Sequence, residues 1–286
     1  MSDNEEEVKE PTELESLLAS VAHKSRSTRI NYKSSYLKLR KILGDDLGNL
    51  TEDEIIAGIL TKPNPNSQMA IINIAVLVFN ILNKSTEKMR QLREDNKPKL
   101  KALVKAKNGS LCVSLPSYLQ LVTHLDGLYE SSLWREYIIC YLLINISVRN
   151  KDLNFEIVTR KKDMNDTDNF LWYSVGKKQI TFVRNDYKTA ATYGKKESII
   201  TNEFFINAVK KMIDALKHEQ TKKFIPNDGQ IGYYIQKSTL DQIGSGAYMK
   251  ITVNHYRDNL AKIKEMSDNR GTSVATILDS YDICSQ

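Results

Sequence analysis

Glycine and proline are scarce in this 286-residue sequence, at twelve and six, which excludes collagen-like and low-complexity chains and points to regular structure. Cysteine is scarcer still. Its three copies, Cys112, Cys140 and Cys284, are odd in number and far apart, the usage expected of reduced, inert thiols in a cytosolic or nuclear compartment rather than of a disulfide framework. No apolar run reaches the length of a bilayer span: the longest, Met69–Leu82 and Tyr137–Val148, are interrupted by Asn and read as buried helices. The opening MSDNEEEVKE is acidic where a signal or transit peptide would be basic. The four histidines, His23, His124, His218 and His255, are scattered and pair with no Cys or carboxylate at ligand spacing, and no phosphate-cradling Gly-rich loop is present. Neither a metal nor a nucleotide cofactor is expected, nor a membrane crossing. The expected location is inside the cell, in nucleus or cytoplasm.

What the sequence does have is positive charge, unevenly placed. The formal net charge is +6, but residues 1–24 carry seven acids against two lysines, so the rest of the chain holds +11. Such a balance suits a polyanion, because each neutralised phosphate releases counterions. The plainer reading is a solvated basic surface. The acidic head, 1–24, is expected to be a disordered tail.

The hydrophobic period divides the remainder. Ser27–Leu43 sets Ile30, Tyr36, Leu37, Leu39 and Leu43 at helical spacing among Arg29, Lys33, Lys38, Arg40 and Lys41, an amphipathic basic helix. Thr51 followed by Glu54 is a capping-box pattern that starts a short helix. Pro63 and Pro65 break the chain before an apolar helix, Ser67–Leu82, and a basic one from Thr86. Residues 25–95 are therefore expected to form a small helical bundle. The Lys-rich stretch 96–109, with Lys101 and Lys105, reads as a linker able to lie against phosphates, and a second domain is expected over 110–286. There the pattern is helical from Leu115-Pro116-Ser117 to Leu128 and from Trp134 to Asn145. It then turns to short strands, Phe170–Val175 and Gln179–Val183, joined as a hairpin by Gly176-Lys177-Lys178. Tyr187–Tyr193 is a candidate further strand. From Asn202 onward helical spacing returns, including Thr252–Met266 and Ser273–Leu278. The fold class expected is mainly α with a small antiparallel β-sheet.

Four cationic boxes punctuate this second half, the last ending in a tyrosine: Ser147-Val148-Arg149-Asn150-Lys151-Asp152, Asp186-Tyr187-Lys188-Thr189-Ala190, Asn254-His255-Tyr256-Arg257 and Arg270-Gly271-Thr272-Ser273 with Tyr281. Their order resembles the tyrosine recombinases, the phage-integrase family that shares its catalytic fold with type IB topoisomerases. Ser25–Tyr32, of the form Ser-x-Ser-Thr-x-x-x-Tyr, resembles the opening of the family's helical, SAM-like core-binding domain. Arg149 with Asp152 resembles the Arg-x-x-Glu/Asp box, Lys188 the hairpin lysine, and Arg257 the second arginine. Gly271 with Tyr281 resembles the Gly-His/Trp…Tyr box, the tyrosine following Thr272 by nine residues. Two positions depart from the pattern: Asn254 stands where histidine is usual, with His255 one place along, and Thr272 stands where His or Trp is usual.

The resemblance implies a helical clamp on double-stranded DNA that contacts it through Arg29, Lys33, Arg40, Lys101 and Lys105, with a homo-oligomer on DNA a further expectation. It implies cleavage and rejoining through a 3′-phosphotyrosyl link, without a cofactor. The wording Tyr-Lys-Thr-Ala and Asn-His-Tyr-Arg is similar to recombinases of large DNA viruses and Crypton-like mobile elements, which extends the expected location to a viral factory. The chemistry is coherent by itself. Arginines grip non-bridging phosphate oxygens, each such contact contributing about 3 kcal/mol to the transition state; a lysine protonates the leaving 5′ oxygen; the phenol keeps the phosphodiester energy in a covalent bond. Asn254, His255 and Thr272 complete the candidate catalytic set. A type IB-like topoisomerase and a catalytically weakened DNA-binding protein are the alternatives. Taken singly, Arg149 reads as a helix C-cap, Lys188 as a solvated strand residue and Tyr281 as packing.

Overall fold

The computed structural model describes residues 12–284, which fall into two compact units that divide between Lys107 and Asn108. The head expected as a disordered tail divides: residues 1–11 lie outside the described residues, whereas α1 (Glu13–Ser20) is a helix with a full capping box from Thr12 and Glu15. Leu17 anchors it in the core of the first unit, and Tyr36 Oη donates to Glu13 Oε2 at 3.0 Å.

The other helices of this unit are α2 (Arg26–Leu43), α3 (Glu52–Leu60) and α4 (Pro65–Ile81), with the beginning of α5 (Glu87–Ser114). The Thr51–Glu54 capping box forms as the sequence predicts. Pro65 opens α4 rather than ending anything, since its missing N–H has no partner to lose at a first helical turn. Leu39, Leu47, Ile55, Ile59, Ile72 and Phe79 fill the core. Gly58 lets α3 approach α2, because a Cβ there would come within 2.3 Å of Leu43. Ile30 and Leu37 do not join the buried face of α2: they are 57% and 50% exposed, beside Lys33 and Lys38. Residues 96–109, expected as a linker, are helical and continue α5 through Pro98.

The second unit begins with the last turns of α5, followed by α6 (Tyr118–Glu130) and α7 (Trp134–Tyr141), which widens into a π-turn over Leu142–Ile146. Next come β1 (Phe155–Val158), β2 (Asn169–Ser174), β3 (Gln179–Arg184), the one-turn α8 (Ala190–Tyr193) and β4 (Lys196–Ile200). The β2–β3 hairpin is as expected. The sheet, in the order β1-β2-β3-β4, is nonetheless mixed rather than antiparallel, because β1 runs parallel to β2. Tyr187–Tyr193 is not a strand but a turn and α8; the further strand lies at 196–200, where Lys-Glu-Ser interrupts the apolar signal.

Five helices close the unit: α9 (Glu203–His218), α10 (Ile231–Ser238), α11 (Ser245–Tyr256), α12 (Leu260–Arg270) and α13 (Val274–Tyr281). The helix expected over Thr252–Met266 is thus two helices, broken at 257–259. Consequently the Asn254–Arg257 box sits at a helix end, not a start. Met249, Val253, Ile263, Met266 and Ile277 pack α11, α12 and α13 together, with Tyr281 at the margin of that cluster. Among the described residues no helix is long and apolar enough to cross a membrane.

Candidate active site

The centre of the site is built where α7 runs out. The π-turn hands the chain to Ser147 in the left-handed region (φ 57°), and Arg149 follows in extended backbone. Asp152 Oδ2 accepts from the Arg149 N–H at 3.0 Å, which fixes the arginine's direction. The Arg149 guanidinium then donates through Nη1 to the carbonyl of Arg270, the last residue of α12. Arg270 returns the contact: its Nη1 donates to the carbonyls of Ser147 (2.9 Å) and Val148 (3.3 Å). Its Nη2 donates to the Tyr281 hydroxyl at 2.9 Å, and its guanidinium carbon lies 5.0 Å from the Tyr281 ring centre. The two boxes farthest apart in this half of the chain are therefore tied to each other and to the tyrosine.

A third arginine lies beneath them. Arg184, at the end of β3, is fully buried; it approaches Asp152 at 3.7 Å and donates to Asn269 O (2.7 Å) and Ser198 Oγ (3.2 Å). Burial pushes the Asp152 carboxyl above the ordinary carboxylate range, against the pull of the Arg149 N–H and the surrounding guanidiniums. It pushes Arg184 and Arg270 below the usual guanidinium value, with Asp152 opposing in both and Tyr281 opposing for Arg270. Three guanidiniums thus surround one carboxylate, and the buried Nε groups of Arg184 and Arg270 and the buried Asp152 Oδ1 have no hydrogen-bond partner. Three guanidiniums against one carboxylate leave this cluster with an excess of positive charge, which favours an anion beside it.

The turn carrying Lys188 borders the same place. Thr189 Oγ1 donates to Gly271 O at 2.8 Å, and Tyr187 Oη donates to Gly194 O at 2.7 Å. Gly271 takes φ 57°, and a Cβ on it would lie 2.9 Å from both Thr189 Oγ1 and Tyr187 Cε2. Glycine is therefore required twice over, by conformation and by space. Lys188 itself is exposed in the β3–β4 connection, between two residues packed on Arg270-Gly271.

The other expected members of the site divide. Arg257 does not join: it follows the last turn of α11, its side chain is 41% exposed, and its Nε is 3.7 Å from Asp258. Breaking the helix at 257–259 points this arginine into solvent, and no contact links it to Arg149 or Tyr281. Asn254 is near Tyr281, but through backbone: Nδ2 donates to Tyr281 O (3.0 Å), and Oδ1 accepts from the N–H groups of Ile283 (3.2 Å) and Cys284 (3.0 Å). His255 stacks on Tyr118, rings 4.0 Å apart and 5° from parallel. Thr272 is bound by its backbone, accepting from Ser267 Oγ at 2.6 Å. In the first unit Arg29 and Lys33 are exposed on α2, and Lys101 and Lys105 on α5, whereas Arg40 is engaged by Asp45 and lies 5.9 Å from the Tyr36 ring.

Sequence reasoning missed two participants. Arg184 carried no signal, being one more basic residue at a strand end. Arg270 did carry one, since it immediately precedes the glycine of the last box. The expectation of three reduced thiols is also overturned: Cys112 and Cys284 form a disulfide, and only Cys140 is free and buried. Their separation of 172 residues hid a meeting between the end of α5 and the segment just beyond Tyr281.

No protein-family model matches the sequence, and no curated protein matches it. The chain is similar to a solved recombinase. That structure, a crystal structure of XerA recombinase, has 15% sequence identity and a TM-score of 0.39, over 94% of this chain and 93% of the other.

Proposed function

We propose that this protein breaks and rejoins double-stranded DNA through Tyr281, as a site-specific recombinase or integrase of a viral or mobile element acting inside the cell. One observation carries the reading: Arg270 donates to the Tyr281 hydroxyl at 2.9 Å while Arg149 is held against the Arg270 carbonyl. A phenol oxygen is thereby held by one guanidinium, with a second tied to the same arginine, in a site whose charge favours a phosphodiester. In the cleavage step Tyr281 Oη bonds to phosphorus, the phosphorus–O5′ bond breaks, and the phenol proton leaves to water. Arg149 and Arg270 receive the charge developing on the non-bridging oxygens. Lys188 supplies the proton to O5′, and reversal against the same or another 5′ hydroxyl restores the strand. Arg270 thus takes the place expected of Arg257. Arg29, Lys33, Lys101 and Lys105 supply phosphate contacts.

The test is a nicked duplex from which the cleaved fragment diffuses away, trapping protein on DNA. A covalent adduct is expected with the native chain and none with Tyr281→Phe. Adduct formation unchanged by that substitution, or absent on every duplex tried, removes the proposal. Relaxation of any supercoiled plasmid would assign the same chemistry to a topoisomerase, and exchange between two copies of one sequence to a recombinase.

A further inference from the structure

Away from this site, the second unit contains an open cavity of about 660 Å³ walled by α6, α7 and the start of α9. Its rings are Tyr118, Tyr129, Tyr137, Tyr141 and Phe204, and its charged lining residues are Asp126 and Glu130. Tyr129 meets Phe204 at 89° and Tyr137 at 64°, with centroids 5.1 and 5.2 Å apart, so the rings stand as walls rather than stack. Phe204 is 59% exposed at the first turn of α9, a large apolar ring that the fold leaves in solvent. Asn207 Nδ2 donates to the Tyr129 hydroxyl at 2.7 Å and fixes that ring. Burial first, then Tyr141, Tyr129 and Asp126, pushes the Tyr137 phenol upward, and the formally charged lining residues are the two carboxylates.

The sign is the informative part. In a chain of net charge +6, no lysine or arginine lines this cavity. Elsewhere the chain's own cations lie over aromatic faces, Arg135 over Tyr234, Lys210 over Tyr173 and Lys262 over Tyr256. Among the described residues no lysine or arginine lies over the five rings here, although His255 stacks on Tyr118. Aromatic walls beside two carboxylates attract a cation by ring quadrupole and by charge together. A DNA phosphate, which the rest of the surface suits, is repelled.

We propose that this cavity binds an organic cation, the guanidinium or ammonium head of a side chain presented by a partner protein. The site is separate from the one at Tyr281, and its test does not depend on DNA cleavage. Trp134, whose ring lies 5.4 Å from that of Tyr129, reports occupancy by fluorescence. The probe is the blocked tripeptide acetyl-Gly-Arg-Gly-amide, compared with its citrulline counterpart, which keeps the shape and loses the charge. Saturable binding is expected for the arginine peptide, about tenfold tighter than for the citrulline peptide. Phe204→Ala and the pair Asp126→Asn with Glu130→Gln, all at exposed positions, should each weaken it by roughly three- to tenfold. Equal binding of the citrulline peptide, no saturable change, or indifference to Phe204→Ala would overturn the proposal. So would binding of choline without binding of the tripeptide, which would make the ligand a free small cation.

Discussion

The guanidinium cluster at Arg149, Arg184 and Arg270 and the end of α11 at Asn254–Arg257 hold similar side chains in opposite surroundings. In the cluster, Arg184 and Asp152 have side chains 1% and 0% exposed, and the arginines donate to main-chain carbonyls from distant segments. At the helix end, the Arg257 side chain is 41% exposed, and its partner Asp258 is 93% exposed. An exposed pair of that kind contributes roughly 0–1 kcal/mol, whereas breaking a buried one costs about 3–5 kcal/mol. An arginine in a motif-like position is thus not equivalent to one that the fold has desolvated and aimed. Burial against carbonyl oxygens makes Arg270 stationary; nothing does so for Arg257.

The largest expected effect tests that difference directly. Arg270→Ala should lower stability by about 3–5 kcal/mol, because it leaves the Ser147 and Val148 carbonyls buried without donors. It should also lower covalent adduct formation by about 10²–10³-fold. Arg257→Ala should change stability by less than about 0.5 kcal/mol and leave adduct formation near the native rate. Urea unfolding and the nicked-duplex assay measure the two quantities. Arg270→Lys, which keeps the charge but not the fork of donors, separates loss of chemistry from loss of fold. If Arg257→Ala abolishes the adduct in a folded protein, the assignment of the second arginine reverts to the sequence box.

A second way to sharpen the comparison is to release what holds the chain beyond Tyr281. The Cys112–Cys284 bridge closes a span of 172 residues. Removing such a bridge costs about 2–4 kcal/mol, chiefly through the freedom regained by the unfolded chain. Cys284→Ser should therefore lower the urea midpoint by a corresponding amount, and reduction of the native protein should reproduce that shift without changing the Cys284→Ser protein. The guanidinium cluster, tied by hydrogen bonds rather than by the bridge, should still support adduct formation. Loss of the adduct on reduction alone would show that the cluster depends on the bridge.

How much of this was legible in the sequence follows from range. Local signals were readable: the Thr51–Glu54 cap, the Gly176-Lys177-Lys178 turn and the period of α2 each depend on residues a few places apart. Arg149 and Asp152 stand three places apart and read together as one box, and the Arg149 N–H donates to Asp152. The break between α11 and α12 was not, because Tyr256-Arg257-Asp258-Asn259 contains neither proline nor glycine, and Asn259 acts as an N-cap only in its folded conformation. That one unread break leaves Arg257 at an exposed helix end. The links from Arg270 to Ser147 and from Cys112 to Cys284 span more than a hundred residues, and pattern within one segment does not encode them. β1 was missed because Phe-Glu-Ile-Val is too short to separate from its surroundings, and its parallel pairing depends on β2.

The smallest effects concern Asn254 and His255, the two residues of the α11 box counted in the candidate catalytic set beside Arg257. Asn254 spends its amide on main chain: one bond to the Tyr281 carbonyl, two from the N–H groups that follow it, and one to the Lys250 carbonyl within its own helix. Asn254→Ala removes all four, and because the site is partly open to water, the loss should be about 1–2 kcal/mol, with a fall of several-fold in adduct formation as Tyr281 loosens. Asn254→Asp retains an acceptor for Ile283 and Cys284 but no donor for Tyr281, so it should recover part of the stability and less of the rate. A residue that contacted phosphate would behave otherwise, since a new negative charge there would be worse than alanine. His255 makes a stacking contact with Tyr118 at the surface, worth about 0.5–1 kcal/mol, and His255→Ala should leave the adduct unchanged. Parallel unfolding and adduct measurements on the three variants rank them. An Asn254→Asp protein less active than Asn254→Ala would return this helix end to the phosphate.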